Sequence, residues 1–320
     1  MEPEGANGVT EFRFETRPEE AGSRVDEFLA RRFPLLSRTK LRGLIAAGGA
    51  SRAETALSLG QRLTAGDTVE FRWEPARTPC CYPERLPIEI LWEDRFLLVA
   101  NKPAGMLVHP TRGVKRSTLT NRLLAYLNPR LTGAEIAPEG GEPTLWPRFI
   151  HRLDRETSGV ILVAKDSVSA AALGKALALG QFSKWYLAIV CGALPQGRSE
   201  AREAIGRFDD APPHWRVSSE GQAARSIFEP LAVSERGLSL CALQLVTGRT
   251  NQLRIHSAHR DAPILGDALY GGRTASRLML HAWKLDFPHP ATGEVVSVCA
   301  PVPPSIREAW PGAWPQIREP

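Results

Sequence analysis

The sequence predicts an α+β fold, a mixed and largely antiparallel sheet preceded by a small α/β module. Six short apolar or alternating runs between residues 88 and 246 read as strands. Helical patterns lie between only some of them, so the regular strand–helix alternation of a doubly wound parallel sheet is missing. Residues 74–87 hold four prolines and no periodicity, which marks a linker between two units of different character. A chain of 320 residues has room for two domains at roughly 150 residues each.

Residues 1–8 read as a loose tail and residues 9–73 as the first unit. In residues 11–16, Phe12 and Phe14 alternate with charged neighbours, as in a half-exposed strand. Val25, Phe28 and Leu29 recur at helical spacing over residues 24–33, with Ser23 as N-cap and Pro34 as the stop. Ser37 is placed to cap a second helix, with Leu41, Leu44 and Ile45 inward and Arg38, Lys40 and Arg42 outward. Gly48 and Gly49 end that helix, and a Gly66-Asp67 turn leads into a strand at 68–73.

The linker is set at 74–85 and the second unit at 86–306. Its expected strands are residues 88–92, 96–100, 160–164, 185–190, 225–231 and 238–246. Its expected helices are 118–127, 168–179 and 251–259, the last capped by Thr250. Residues 131–147 are rich in glycine and proline and read as a surface insertion. Residues 307–320 contain proline and tryptophan without a clear pattern and read as a C-terminal tail.

Composition narrows the function classes. Hydrophobic residues at 43% and charged residues at 23% suit a folded soluble protein and exclude disorder. No run approaches the roughly 18 apolar residues of a membrane helix, and the first residues lack the basic and apolar regions of a secretory signal. Five cysteines, an odd number with Cys80 and Cys81 adjacent and no CxxC pair, suit neither a disulfide framework nor a zinc site. The expected setting is a reducing cytoplasm. The net charge of +5 is modest. The clusters Arg31, Arg32, Arg38, Lys40, Arg42 and Arg148, Arg152, Arg155 are the arrangement a phosphate backbone needs.

Residues 148–159 concentrate the chemistry: Arg148, His151, Arg152, Asp154, Arg155, Glu156, Thr157 and Ser158 stand directly before the apolar run at 160–163. A loop beside a buried strand holds its groups in fixed geometry. Arginines around Asp154 favour its ionised form, fit for a nucleophile or base and not for a general acid. The alternative is a structural Asp–Arg pair holding a turn.

The run His151-Arg152-Leu153-Asp154-Arg155-Glu156-Thr157-Ser158-Gly159 resembles the HRLD-R-x-T-S-G signature of RluA-type RNA pseudouridine synthases. Further stretches follow in the family's order. Lys102-Pro103-Ala104-Gly105 with His109-Pro110 is similar to its early loop, and Lys184-Trp185-Tyr186-Leu187-Ala188 to its K-x-Y-x-A strand. Thr247-Gly248-Arg249-Thr250-Asn251-Gln252-Leu253-Arg254 resembles TGRTHQIR, with Asn251 in place of the family's His. Gly266-Asp267 with Tyr270-Gly271, and Leu280-His281-Ala282, are similar to its last two motifs. The first unit resembles a degenerate S4-type RNA-binding module through residues 24–29 and 36–41, with residues 47–54 standing where the family's usual turn is missing.

The resemblance implies conversion of uridine in ribosomal or transfer RNA to pseudouridine on a flipped-out base, by a monomer without cofactor or metal. It implies Asp154 as the catalytic carboxylate, Arg254 as its cationic partner (Arg249 second, supporting the turn or touching RNA) and Tyr186 against the uracil ring. Leu280 closes the base pocket, and Arg152 fills the vacated space or holds the flanking backbone. His151 contacts phosphate or fixes the loop by hydrogen bonds, Lys102 and His109 serve as architecture and RNA cleft lining, and Arg155 is a candidate for RNA contact, with Arg38, Lys40 and Arg42 in the first unit. Two rival readings are an RNA-binding assembly factor without catalysis and a glycoside hydrolase, which needs a second opposing carboxylate such as Asp267 or Glu156.

Overall fold

The computed structural model describes residues 10–33, 36, 38–73, 83–111, 113–129, 145–209 and 214–317. The expected N-terminal tail, the Ser37 cap, Cys80 and Cys81, and most of the linker and of the 131–147 insertion lie outside the described residues. The chain divides into two compact units, Met1–Glu84 with Leu124–Trp146, and Arg85–Leu123 with Pro147–Pro320.

In the first unit, the alternating phenylalanines form strand β1 (Thr10–Glu15). Helices α1 (Val25–Arg32) and α2 (Arg38–Ala46) follow, then β2 (Ala50–Arg52), β3 (Thr55–Ala56) and β4 (Thr68–Trp73). The strands pair antiparallel in the order β1-β4-β2-β3. Phe28, Leu29, Phe33, Leu41 and Ile45 bury their side chains with Val69 and Phe71 in one core. Two readings need correction. Ser23 does not cap α1: its hydroxyl donates to the Glu20 carbonyl, and Arg24 occupies the cap position with no side-chain capping bond. Arg32 is not a free phosphate ligand, because its guanidinium lies 3.6 Å from the Phe28 ring centroid and pairs with Glu20 at 2.9 Å.

The second unit contains β5 (Glu89–Glu93), β6 (Leu97–Lys102), α3 (Leu119–Leu127, which extends past it), β7 (Arg148–Phe149), β8 (Ser158–Ala164) and α4 (Ser167–Ala178). After these come β9 (Ser183–Cys191), β10 (Ser199–Ala201), β11 (Ile205–Phe208), β12 (His214–Val217), β13 (Ser226–Val233) and β14 (Leu238–Leu245). It closes with α5 (Gln252–His259), β15 (Leu280–Pro288), β16 (Val295–Cys299) and α6 (Pro304–Ala309). Ten strands form one sheet along the path β10-β13-β14-β9-β15-β8-β6-β5, with β16 on β15 and β7 on β8. Among the described residues its only parallel pairing is β15 with β8; the rest is antiparallel, the mixed sheet the sequence predicts.

Strand β8 is buried along its whole length, which is why it is a continuous apolar run and not an alternating one. Its second residue must be glycine. Gly159 sits at φ +113°, and a Cβ there would lie 2.0 Å from the Ala282 carbonyl oxygen of β15. The close approach brings the loop before β8 against β15.

Strand β15 occupies a central place that the sequence reading did not assign to a strand. The C-terminal segment also differs from the expected tail: Ile306 and Trp310 are buried, and Trp314 and Ile317 pack on the same apolar cluster as Leu240 and Trp283. Two indoles bury a large apolar area, but so short a stretch has no periodicity to announce it.

Candidate active site

Three neighbouring strands align the site. Across the sheet, Tyr186 of β9 pairs with Ala282 of β15, and Ala282 pairs with Gly159 of β8. The loop bearing Asp154 leads into β8, and Leu280 begins β15. From the other side, β14 runs out into the Thr247–Thr250 turn and α5, which carries Arg254. Asp154, Tyr186, Arg254, Leu280, Arg152 and Arg249 thereby line one cavity of about 170 Å³.

Arg254 meets a different partner from the expected one. Its Nε and Nη2 donate to Oδ2 and Oδ1 of Asp267, each at 2.7 Å, and Nη1 donates to Asn251 Oδ1 at 3.1 Å. Asp267 has no exposed side-chain surface and also accepts from the backbone N–H groups of Leu269 and Tyr270. Asn251 in turn donates to the Tyr270 hydroxyl at 3.2 Å, and that hydroxyl donates to the Trp215 carbonyl at 3.0 Å. The Tyr270 ring centroid lies 5.1 Å from the guanidinium carbon of Arg254. Asn251 holds a left-handed conformation, φ 54°, one that asparagine tolerates better than most residues. It occupies the helix N-cap position assigned to Thr250, and its side chain is spent on Arg254 and Tyr270 and not on capping.

Asp154 makes no side-chain hydrogen bond or ion pair among the described residues. Burial pushes its carboxyl above the ordinary value, and Asp267 adds to the rise; Arg254, Arg152 and Lys102 pull it down without reversing it. The expectation of a carboxylate held low by a directly paired arginine is therefore corrected: both groups face the cavity, but the guanidinium is committed to Asp267. Tyr186 is 6% exposed. Burial, then the charge of Asp154, raises its pKa, so it presents a neutral phenol.

For Lys102 and His151 the hydrogen bonds support the architectural one of the two expected readings. Lys102 is fully buried, and its Nζ donates to the carbonyls of Pro103 at 2.9 Å, Met106 at 2.8 Å and Arg155 at 3.0 Å. Burial lowers its pKa to about 7, yet three carbonyl acceptors match the three donors of an ammonium. It ties the early loop to the Asp154 loop. His151 accepts the Leu162 backbone N–H on Nε2 at 3.2 Å, and burial, then Lys184, pushes it down to about 4. It fixes the loop to β8 and, half-buried, also lines a second cavity. The sequence shows charge type, whereas burial emerges from the fold.

The other candidates divide. Arg152 is exposed and faces both the first cavity and a second one of about 770 Å³ beside it. His109 lines the second cavity, its ring edge-on to Phe149 with centroids 4.7 Å apart. Arg155 keeps 65% of its side chain exposed while Nε donates to the Gly105 carbonyl. Arg249 donates to the Ala223 carbonyl at 3.1 Å, supporting the turn it belongs to. Arg42 is exposed on α2; the side chains of Arg38 and Lys40 lie outside the description.

Sequence reasoning named Asp267 only as a rival second carboxylate and Asn251 only as a departure from the motif, and gave Tyr270 and Gln252 no part in the site. Gln252, 2% exposed, accepts from the Thr247 hydroxyl and the Arg249 N–H, and donates to the Arg225 carbonyl and the Ser226 hydroxyl. All four residues stand in the motif stretches, so the signal was their place there. The glycoside hydrolase reading fails on geometry: Asp267 is consumed by Arg254, and Glu156 is 48% exposed beside Arg155. Among the described residues no three His, Cys, Asp or Glu side chains gather as metal ligands. No helix of the described residues is long and apolar enough to cross a membrane.

Asp154, Tyr186 and Arg254 thus surround one small cavity at the junction of the mixed sheet, an arrangement suited to acid–base or nucleophilic chemistry on a small group. The chain belongs to the RNA pseudouridylate synthase family, whose sequence model matches residues 96–259, and to its RluA-type branch. It is an RNA pseudouridine synthase, an isomerase. Over 305 residues it is 35% identical to the ribosomal large subunit pseudouridine synthase D of Xanthomonas campestris, covering 90% of this chain and 88% of that one. It is 36% identical to the uncharacterized RNA pseudouridine synthase YhcT of Bacillus subtilis, covering 76% and 78%. The solved structure of human RNA pseudouridylate synthase domain containing 1 superposes with a TM-score of 0.56 at 28% identity, over 71% of this chain and 89% of that one.

Proposed function

We propose that this enzyme isomerises uridine in large-subunit ribosomal RNA, with Asp154 as the catalytic carboxylate. The observation that supports the roles is the single cavity shared by Asp154, Tyr186, Arg254 and Leu280. The target class follows that of relatives such as the large subunit pseudouridine synthase D of Xanthomonas campestris.

The uridine leaves its stack to reach this cavity, at a cost of a few kcal/mol offset by contacts inside. In the reaction the bond from C1′ to N1 breaks, a bond from C1′ to C5 forms, and a proton passes from C5 to N1. Composition and oxidation state are unchanged, so the chemistry calls for no redox group. Asp154 acts as its carboxylate on the bound nucleoside. Arg254 biases it toward that form through space while Asp267 fixes where the guanidinium stands. Tyr186 stacks on the ring as a neutral phenol and relays a proton. Leu280 packs on the base edge. Arg152 and Arg249 hold the flanking backbone.

The first unit, residues 9–73, serves as an S4-like RNA-binding domain through Arg38, Lys40 and Arg42 on α2. Residues 74–85 are the linker, and the catalytic domain begins at residue 86. The enzyme works as a monomer in the cytoplasm. Mapping pseudouridine across total RNA from cells with and without this protein tests the proposal. A site lost from large-subunit ribosomal RNA supports it, and a site lost only from transfer RNA overturns the target.

A further inference from the structure

We propose that the second cavity, walled by Leu107, Val108, His109, Phe149 and Arg152, is the subsite for the nucleotide next to the target uridine, its base packed against Phe149 and His109. The proposal rests on the function assigned above and extends it to the surrounding strand.

The two cavities are continuous in their walls. Arg152, Leu153, Asp154, Thr250, Asn251 and Arg254 line both. The first, about 170 Å³, is a compartment on the scale of one base. The second, about 770 Å³, falls within the range of ordinary ligand pockets and opens directly beside Asp154. A uridine whose sugar stands at Asp154 is joined by phosphates to a neighbour on each side. Because Asp154 and Arg152 line both cavities, the second is placed to receive one of those neighbours.

Its chemistry suits a base. The wall away from Asp154 is aliphatic and aromatic, with Val108 buried at its back and Phe149 half-buried. Phe149 is the second residue of β7, which pairs with β8 and so fixes the ring relative to Asp154. The His109 ring meets Phe149 edge to face at 82°. Burial, then the charge of Arg152, holds His109 below the ordinary histidine value, so it offers a neutral ring. At the rim, the exposed Arg152 and Arg155 face the cavity, the cations a connecting phosphate requires. An aromatic floor with a cationic rim is the general architecture for single-stranded nucleic acid and tolerates any base.

The test is a cycle between protein and RNA. Oligoribonucleotides carrying the target uridine are made with an abasic ribose on its 5′ side, on its 3′ side, or on neither. Their Kd is measured with the Asp154→Asn protein, alone and combined with Phe149→Leu or His109→Ala. Conversion by otherwise wild-type protein is followed in parallel. Removing the base on one side is expected to weaken binding about tenfold, the size of one base–aromatic stack. With Phe149→Leu, removing that same base should cost little more, because the partner is already gone. His109, on an exposed loop, gives the same reading if Phe149→Leu is unstable. Abasic substitution without effect on either side, or with an equal effect in all proteins, overturns the subsite. Coupling without conversion of any RNA would keep the subsite and overturn the assigned reaction.

Discussion

Arg254 holds Asp267 through two parallel 2.7 Å hydrogen bonds, and the catalytic cavity therefore contains an arginine whose charge is already matched. A fork-to-fork pair of this kind is rigid as well as strong. It fixes the guanidinium in direction while leaving the Asp154 carboxyl free of a direct partner.

Substitution Asp154→Asn should abolish pseudouridine formation and leave RNA affinity unchanged. It should also not lower stability. The folded-state pKa of Asp154 is raised. Its contribution to stability is therefore present below the unfolded value and lost as pH rises through the folded value. At neutral pH the wild type carries this cost and the amide does not. Melting curves should coincide in acid, and the variant should match or exceed the wild type at pH 7. A variant that melts lower at pH 7 would contradict the desolvated carboxylate.

The same shift governs the rate profile. Activity needs the carboxylate, so the acid limb of kcat/KM should lie above the usual aspartate value of about 3.9. Asp267→Asn frees Arg254 and removes a negative neighbour, and both changes should move that limb to lower pH. Profiles of the two proteins, measured on one RNA, check this.

Loss of Asp267 should also be felt in folding. Asp267 is fully buried and Arg254 is 12% exposed, so an unpaired survivor is costly. Removing one partner is expected to destabilise by about 3–5 kcal/mol. Chemical denaturation of Asp267→Ala measures it; Asp267→Asn, which keeps one acceptor oxygen, should lose less.

Tyr186→Phe should retain substrate affinity and lose turnover to the extent that the hydroxyl donates a proton. Tyr186→Ala should lose both. Since burial keeps the phenol protonated, no basic limb in the profile should be removed by Tyr186→Phe. Single-turnover rates and Kd values separate the two contributions.

Gly159→Ala should disrupt the site without altering any polar side chain. The added methyl meets the Ala282 carbonyl, and φ of +113° is unfavourable for alanine. A lowered melting temperature together with lost activity is expected, whereas Gly113→Ala, with nothing within 4 Å of its Cβ, provides the control.

Legibility in the sequence followed the range of the interaction. The run at 160–163 announced β8 because both of its faces are buried, and the alternation of Phe12 and Phe14 announced β1. The Asp154 loop, Tyr186 and Leu280 came from motif resemblance, and they share a cavity in the fold. Local patterns could not reveal that Lys102 is enclosed by three carbonyls, because the enclosing residues include Arg155, 53 positions later. Nor could they say which carboxylate Arg254 would choose: Asp267 is 13 residues away, but only the turn through Gly266 delivers it. Strand β15 was readable as a short motif and not as the sheet's centre, since its place depends on partners far back in the chain.

The parallel pairing of β15 with β8 also bears on the order in which the fold forms. The Ser158 hydroxyl and His281 Nδ1, 2.8 Å apart in the finished protein, are separated by 123 residues of chain. Pairing so distant is slow to form, because the connecting loop must close before any contact rewards it. During synthesis, Asp154 leaves the ribosome long before Arg254, Asp267 and Leu280 exist to surround it. The catalytic cavity is therefore among the last features to be completed.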